Sequence, residues 1–286
     1  MTSGYIQEQR ASANSSAAAA GRISSIVKSV RNLPDELLPP EQLMNIIGSY
    51  DKGHFLAQST NFFEEFVKRG RLGPAAHVLD IGSGCGRMAF PFELYLDGGR
   101  YYGIDVWDEG IKWSSEFITA RSPHMEFHLM EAENNYYFDS YKDGVENSFS
   151  LPFVEADSLD FVFAISVFTH LLEHDSRSYF KEIARCLKKG ATAFITGFII
   201  DHFFWQYVNA TGKHKEVKAV GEGVFQAYAG QDFFGGYSMA KWREMLQESG
   251  LSIICYETGA WANKPGARGY QDTFIVVRTD TFPSQE

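Results

Sequence analysis

Three glycines at alternate positions end the first strongly apolar run of this 286-residue sequence. Residues 78–86 are VLDIGSGCG, with Gly82, Gly84 and Gly86 directly after the run. Glycine lacks a Cβ, so it lets the backbone turn sharply and approach a ligand closely. A strand, such a bend and then a helix commonly form a nucleotide pocket, with the first amides of the helix directed at the ligand. The pattern therefore predicts a nucleotide or nucleoside site.

The spacing of the glycines distinguishes between kinds of nucleotide site. A dinucleotide fingerprint is G-x-G-x-x-G, whereas here the third glycine comes one residue early and Arg87 stands where a small residue is expected. The stretch also lacks the Gly-Lys-Ser/Thr ending of a phosphate-binding loop. The spacing disfavours NAD and favours a nucleoside. An ordinary strand-to-helix turn remains the alternative.

Acidic residues follow the next two predicted strands. Asp105 ends the second strand, where its carboxylate can accept hydrogen bonds from both hydroxyls of a ribose. Val106 and Trp107 come next and can pack against an adenine. Glu131 ends the third strand and suits the adenine amino group, with Ala132 beside it for a backbone contact. We expect these residues to converge on one nucleoside, although each acid alone could be a solvated loop end.

These residues need a sheet to position them. Short β-branched or aromatic runs alternate with amphipathic segments, which indicates a doubly wound, mainly parallel α/β sheet with helices on both faces. Two late strands predict an antiparallel C-terminal hairpin at the sheet edge and bring the number of strands to seven. The strands are predicted at 77–81, 101–105, 126–130, 159–166, 191–198, 251–257 and 272–278, with helices at 175–187 and 239–249.

The domain organisation is predicted in three parts. Residues 1–22 are expected to form a disordered tail, 23–72 a helical extension, and 73–286 the main domain. An aromatic, irregular insertion at about 201–237 interrupts that domain. It is either a lid over the bound substrate or the core of a small hydrophobic subdomain. The segment 37–66 is either a second wall over the ligand or a simple packing helix.

Composition excludes several classes of function. With 26 basic and 36 acidic residues the net charge is −10, which repels a nucleic-acid backbone. The longest apolar stretches are far shorter than the roughly 20 residues of a membrane span. The three cysteines lack metal-ligand spacing, so we expect reduced packing residues, no metal site and a cytoplasmic location. A Ser- and Ala-rich N-terminus leaves a targeting peptide open, and the oligomeric state is not indicated.

Taken together, the motifs resemble those of the class I S-adenosyl-L-methionine (SAM)-dependent methyltransferases. The resemblance covers about residues 73–197 and continues more weakly to 278. It is carried by VLDIGSGCG at 78–86, YGID at 102–105, SVFTHL at 166–171, EIARCL at 182–187 and Lys189-Gly190. It implies SAM as cofactor. The methionine part would be held by Asp80, Gly82, Ser83, Gly84, Cys85 and Gly86, and the ribose by Asp105. The adenine would contact Val106, Trp107, Glu131 (or Glu133) and Ala132, and Ser166 would also contact the cofactor.

The resemblance also implies the reaction, in which an acceptor atom attacks the sulfonium methyl. We expect a small-molecule acceptor, such as a metabolite, glycan or lipid precursor, methylated at oxygen. His170 is the first candidate for a general base, ahead of His174 and His202 and then Asp201 and Glu173, although a histidine there can also be a structural helix-end residue. The alternatives are a non-catalytic nucleoside-binding scaffold and an NAD(P)-dependent oxidoreductase.

Overall fold

The computed structural model describes residues 19–130, 149–229 and 232–279. It contains a seven-stranded sheet and a three-stranded sheet. The order in the larger sheet is β3 (Met125–Leu129), β2 (Arg100–Asp105), β1 (His77–Ile81), β4 (Leu159–Ala164), β5 (Leu187–Gly197), β10 (Asp272–Arg278) and β9 (Leu251–Glu257). The order in the smaller sheet is β6 (Lys218–Gly221), β7 (Val224–Ala229) and β8 (Asp232–Tyr237). The chain divides into two compact units, residues 1–131 and 132–286, which are described in turn. Within the described ranges, none of the helices has both the length and the apolar character that a bilayer crossing requires.

The first unit alternates helices with three parallel strands. Neighbouring strands pair in register, with Ile81 opposite Ile104 and Asp105 opposite Leu129. The carboxyl ends of the second and third strands are therefore adjacent. The elements are α1 (Ala19–Arg31), α2 (Glu41–Ile46), α3 (Lys52–Arg69), β1 (His77–Ile81), α4 (Ala89–Tyr95), β2 (Arg100–Asp105), α5 (Asp108–Ser114), a π-helical turn (Ser115–Thr119) and β3 (Met125–Leu129).

Aromatic packing holds α3 in this unit. The helix begins after Asp51, whose side chain accepts a hydrogen bond from the His54 amide at 2.8 Å, a standard N-cap. Phe63 is fully buried and meets the rings of Phe92 and Tyr95 edge-on, with centroids 5.6 and 5.1 Å away. Residues 52–66, half of the segment predicted as a second wall, thus belong to a packing helix.

The second unit contains the antiparallel part of the large sheet. β5 pairs parallel with β4, and β10 pairs antiparallel with both β5 and β9. The predicted mainly parallel, seven-stranded sheet with an antiparallel C-terminal hairpin is confirmed. The elements are β4 (Leu159–Ala164), a 3-10 turn (Phe168–His170), α6 (Glu173–Cys186), β5 (Leu187–Gly197), α7 (His202–Thr211), β6 (Lys218–Gly221), β7 (Val224–Ala229), β8 (Asp232–Tyr237), α8 (Met239–Glu248), β9 (Leu251–Glu257), a 3-10 turn (Ala260–Ala262) and β10 (Asp272–Arg278).

The insertion at 201–237 is regular, contrary to the prediction. It forms α7 and the antiparallel sheet β6-β7-β8. Glycines within or beside these short strands obscure the two-residue alternation that would have revealed them. On one face of β7 and β8, Ala227 and Phe234 join a buried cluster with Phe204 and Trp261. The expected hydrophobic subdomain core is therefore present on that face.

Two smaller expectations also differ from the structure. The helix predicted to close at Lys188-Lys189-Gly190 ends at Cys186, and β5 follows at once, with Gly190 inside the strand at a φ of +76°. Cys85 and Cys186 are buried as expected, but Cys255 is exposed on β9. Among the described strands β9 lies at an edge of the large sheet.

Candidate functional site

The three glycines form a tight bend at the carboxyl end of β1. Gly82, Gly84 and Gly86 have φ values of +79°, +56° and +76°, which glycine adopts without steric penalty. The amides of Gly82 and Ser83 both donate to the Ile104 carbonyl, each at 2.9 Å. The start of the bend is thereby fixed to the end of β2.

Asp105 lies against this bend. Its Oδ2 accepts a hydrogen bond from the Gly84 amide at 2.7 Å, and its Oδ1 accepts one from the Trp107 amide at 2.9 Å. Burial raises the pKa of Asp105, and hydrogen bonds from the Gly84, Trp107 and Val106 amides oppose that shift. A carboxylate has about four lone-pair positions, so these amides still leave capacity for a ligand. The predicted meeting of Asp105 and the glycine bend is present.

Two backbone amides at the bend donate hydrogen bonds within it. The following helix begins only at Ala89, whose amide donates to the Gly86 carbonyl at 3.0 Å, and the Gly86 amide donates to the Ser83 carbonyl at 2.9 Å. The Ala89 and Gly86 amides are therefore used within the bend, and the predicted contact of the first helical amides with a ligand stays a prediction. The bend also offers close approach, because Gly82 is exposed and carries no side chain.

A contact from the N-terminal part of the same unit covers the bend. A Cβ placed on Gly84 would lie 2.8 Å from Cγ2 of Ile47. The Arg87 guanidinium donates from Nη1 to the Ile47 carbonyl and to the Ser49 hydroxyl, each at 3.1 Å. Residues 47–49 thus form a wall over the bend. This contact could not be predicted from a local sequence pattern, because Arg87 lies 40 residues from Ile47 and 38 residues from Ser49.

Asp80 and Ser83 contribute buried polar groups beneath the bend. Asp80 is 2% exposed, and its Oδ2 accepts a hydrogen bond from the Tyr101 hydroxyl. Burial raises the pKa of Asp80 to about 7, a shift that Asp105 increases and that Tyr101 and Arg87 oppose. The buried Ser83 hydroxyl has no hydrogen-bond partner within the described residues. Such a group is available to a ligand.

The raised pKa of Asp80 predicts a pH dependence of stability. The folded chain holds this proton up to about pH 7, whereas the unfolded chain releases it near the ordinary value of 3.8. The free energy of unfolding should therefore fall as the pH rises through this window, by about 1.4 kcal/mol per pH unit at most. Urea unfolding of the cofactor-free protein measures it. Asp80→Asn should remove the slope and Asp97→Asn should keep it; equal slopes in all three proteins would contradict the assignment.

Apolar side chains border Asp105 on the side where the adenine is predicted. Val106 is 46% exposed and Leu129, which pairs with Asp105 in the sheet, is 44% exposed. Trp107 is half-buried, and its ring packs so closely on Gly110 that a Cβ there would lie 2.5 Å from it. Leu129 was not among the predicted residues, although its place at a strand end could have indicated it. Glu131, Ala132 and Glu133 lie outside the described residues.

The remaining predicted residues belong to the second unit. Ser166 follows β4 with a φ of +62°, which is strained for a residue other than glycine. Its amide donates to the Thr196 hydroxyl at 2.8 Å, which holds this conformation. His170 is exposed at the end of the 3-10 turn. Nε2 of His174 lies 3.1 Å from Oδ1 of the buried Asp175.

The fold and the bend agree with a comparison against protein families. Residues 79–195 match the family described as "Methyltransferase domain". This range runs from β1 into β5 and contains the glycine bend, Asp105 and Ser166. Within this range the chain therefore carries a methyltransferase domain, and its motifs resemble those of the class I SAM-dependent enzymes. S-adenosyl-L-methionine is the cofactor that this domain implies.

Solved structures of similar fold come from distant organisms. The PH0226 protein from Pyrococcus horikoshii OT3 has a TM-score of 0.54 and 15% identity, covering 87% of this chain and 100% of that one. A putative methyltransferase of Haloferax volcanii, solved with the Trm112 methyltransferase activator, has a TM-score of 0.51 and 16% identity, covering 84% and 98%. A putative sarcosine dimethylglycine methyltransferase from Galdieria sulphuraria has a TM-score of 0.50 and 15% identity, covering 85% and 92%. At these identities the similarity concerns the fold of the methyltransferase.

Proposed function

We propose that the glycine bend and Asp105 hold SAM, and that the enzyme transfers its methyl group to oxygen of a small molecule. The observation that carries the proposal is the Asp105 carboxylate, which is fixed on the bend by the Gly84 amide at 2.7 Å and accepts a second hydrogen bond from the Trp107 amide at 2.9 Å. The lone pairs that the backbone amides leave open can accept hydrogen bonds from ribose hydroxyls. In this proposal Gly82, Ser83, Gly84, Cys85 and Gly86 line the methionine part.

Burial and charge around the bend fit this cofactor. Asp105 lies on the bend, where its carboxyl group suits a ligand whose sulfonium and amino groups are cationic, and the buried Asp80 keeps its proton up to about pH 7. The exposed Val106 and Leu129 suit the two faces of an adenine, and the half-buried Trp107 supports that wall. The roles predicted for Glu131 and Ala132 remain proposals, as does the contact of Ser166. Burial raises the pKa of Cys85 to about 12, so its thiol serves as a neutral packing group.

The chain's own residues would mainly position and shield the reacting groups. SAM, when bound, supplies a methyl group on a positively charged sulfur. Alignment of an acceptor with that methyl can lower the barrier by about 7–11 kcal/mol in the best cases. Ile47 lies over Gly84, and Arg87 ties the Ile47 and Ser49 segment to the bend, so this wall would keep water away from the cofactor.

The acceptor side of the proposal rests on the second unit. A hydroxyl acceptor must lose its proton as the new carbon–oxygen bond forms, and His170 is proposed to receive it. The turn that carries His170 follows β4, at the carboxyl end where ligands bind in open parallel sheets. His170→Gln should lower the rate of methyl transfer by about 100-fold to 10,000-fold, which is the scale of general-base catalysis. His202→Gln should leave the rate unchanged, and equal rates in the two variants would reject His170 as the base.

A second class of function is a nucleoside-binding scaffold that performs no transfer. An enzyme can be distinguished from a scaffold by incubating the protein with a fractionated metabolite extract and SAM that carries ¹³C in its methyl group. We expect a new methoxy carbon, which NMR resolves from methyl groups on nitrogen or sulfur. A label found only on nitrogen, sulfur or carbon would overturn transfer to oxygen, and unchanged SAM in every fraction would favour the scaffold. The acidic composition supports a non-nucleic-acid acceptor and the cysteine content a cytoplasmic location.

A further inference from the structure

Arg87 follows the glycine bend directly and carries a buried guanidinium. Its Nη1 donates to the Ile47 carbonyl and to the Ser49 hydroxyl, each at 3.1 Å, and both acceptors are uncharged. Its Nε is buried and has no hydrogen-bond partner among the described residues. One side of this planar group therefore holds the wall at 47–49, whereas the edge formed by Nε and Nη2 remains available to a ligand.

No carboxylate forms an ion pair with Arg87 in the part of the chain that the structure describes. Burial lowers the pKa of Arg87, and the charges of Cys85 and Asp80 oppose that shift. The Cys85 thiol is neutral, since burial raises its pKa to about 12. The Asp80 carboxyl has a pKa of about 7 and accepts a hydrogen bond from Tyr101. A buried cation without a full counter-charge costs free energy, and a negatively charged ligand group at the open edge would remove this cost.

The guanidinium lies close to the bend. The Ile47 carbonyl accepts its hydrogen bond, and Cγ2 of the same residue lies 2.8 Å from the position of a Cβ on Gly84. The buried Ser83 hydroxyl belongs to the same bend and also has no partner among the described residues. All of these groups lie in the first unit. A cation and a free hydroxyl donor are thus available where the amino acid part of SAM is proposed to bind.

The open edge of Arg87 matches one group of SAM. The Nε and Nη2 hydrogens are parallel donors, which fit the two oxygens of a carboxylate. The amino acid part of SAM ends in a carboxylate, whereas its sulfonium and amino groups are cationic and would be repelled. The ribose and adenine are neutral and leave the charge unbalanced. The carboxylate is therefore the part of this ligand that suits Arg87.

We propose that Arg87 binds the carboxylate of SAM through Nε and Nη2, and that its Nη1 contacts couple this binding to the closure of the wall at 47–49. Arg87 is then a bridge between the ligand and the segment that covers Gly84. The inference rests on the proposed function, which places SAM on the bend.

Three ligands test the carboxylate contact by calorimetry on the full chain. S-adenosylhomocysteine has the carboxylate, its decarboxylated analogue keeps only the amino group, and methylthioadenosine lacks both. We expect S-adenosylhomocysteine to bind about tenfold to 100-fold more tightly than the decarboxylated analogue, which is the scale of hydrogen bonds to charged groups. Equal affinity of these two ligands would overturn the inference, and it is the result expected if Arg87 instead held a carboxylate of the methyl acceptor.

Substitution of Arg87 locates the contact. Arg87→Gln should reduce the preference for the carboxylate to about threefold or less. Arg87→Lys keeps the charge without the parallel donors, so it should retain an intermediate preference and serves as the second variant if Arg87→Gln does not fold. An unchanged preference in either variant would overturn the inference.

Arg22→Gln is the matched control in the same unit. Nη2 of Arg22 donates to the Tyr95 carbonyl at 2.7 Å, and its Nε is likewise buried without a partner among the described residues. This variant removes a similar guanidinium away from the bend and should keep the full preference. A loss equal to that of Arg87→Gln would overturn the inference, because the effect would not be specific to Arg87.

Hydrogen exchange tests the coupling to the wall. The Gly48 amide donates to the Asn45 carbonyl at 3.0 Å, and the Ser49 amide donates to the Met44 carbonyl at 2.9 Å. S-adenosylhomocysteine should slow the exchange of these amides severalfold more than the decarboxylated analogue does. This difference should vanish in Arg87→Gln. Equal slowing by the two ligands in the unaltered chain would overturn the coupling.

Methylthioadenosine separates this inference from the proposed function. It carries only the ribose and adenine, so its binding reports on the cofactor site without the carboxylate. Absence of binding of all three ligands would reject the cofactor site itself. Binding of all three with equal affinity would reject only the contact with Arg87.

Discussion

Gly84→Ala is expected to reduce the affinity for SAM up to about 100-fold, because an overpacked methyl group costs about 1–3 kcal/mol and each 1.4 kcal/mol is a factor of ten. Gly84 has a φ of +56°, and its missing Cβ would lie 2.8 Å from Ile47 Cγ2. The β-branched Ile47 is restricted in its rotamers, so the bend itself would have to shift. Calorimetric titration with SAM measures the loss.

The matched control is Gly98→Ala. Gly98 also has a positive φ, +78°, but open space surrounds its Cβ position, so this variant carries the backbone strain without the clash. It should bind SAM like the unaltered protein. The double variant Ile47→Ala with Gly84→Ala should be more stable than Gly84→Ala alone, because it relieves the clash with Ile47. Its affinity for SAM should stay as low as that of Gly84→Ala, because the methyl group added at position 84 also blocks the ligand. Equal affinity in Gly84→Ala and Gly98→Ala would show that SAM does not approach Gly84.

Asp105→Ala is expected to weaken SAM binding by about 100-fold to 10,000-fold, because two hydrogen bonds to a charged group are each worth about 1.5–3 kcal/mol. Its carboxylate already accepts hydrogen bonds from the Gly84 and Trp107 amides, so the variant also loosens the bend. Asp105→Asn preserves the shape and one acceptor, and should give an intermediate loss. Calorimetry gives the affinities, and thermal unfolding reports whether each variant remains folded.

A change in the ligand distinguishes the two causes of lost affinity in Asp105→Ala, which are the missing ribose contact and the loosened bend. The unaltered protein should prefer S-adenosylhomocysteine over its 2′-deoxy analogue, and Asp105→Ala should lose most of that preference. Asp97→Ala, which removes an exposed carboxylate near the amino end of β2, should retain it. A preference of the same size in Asp105→Ala would mean that another group binds the ribose.

Much of the large sheet could be predicted from the sequence because the patterns that specify its strands are local. The apolar run of β1, the glycines after it and Asp105 at the end of β2 each have a pattern that a few neighbouring residues define. Parallel strands then bring Asp105 to the bend with no further information. The final antiparallel hairpin followed from two late β-branched runs, and β10 pairs with β5 and β9 as that interpretation required.

The parts that could not be predicted depend on contacts between distant residues. The Arg87 hydrogen bonds to Ile47 and Ser49 leave no trace in local periodicity. The insertion was predicted to be irregular for a related reason. Its strands β7 and β8 are short and are stabilised by pairing with each other, by the Tyr237 hydroxyl and by the aromatic cluster. Tertiary packing of this kind overrides intrinsic strand propensity.

Asp105 is expected to bind the ribose of the cofactor beside the glycine bend. A crystal structure of the full chain with S-adenosylhomocysteine is the decisive measurement. We expect the ribose hydroxyls on the Asp105 carboxylate, the homocysteine part against residues 82–86, and the adenine between Val106 and Leu129. A nucleoside bound elsewhere, with the Asp105 carboxylate contacting only backbone amides, would refute this assignment.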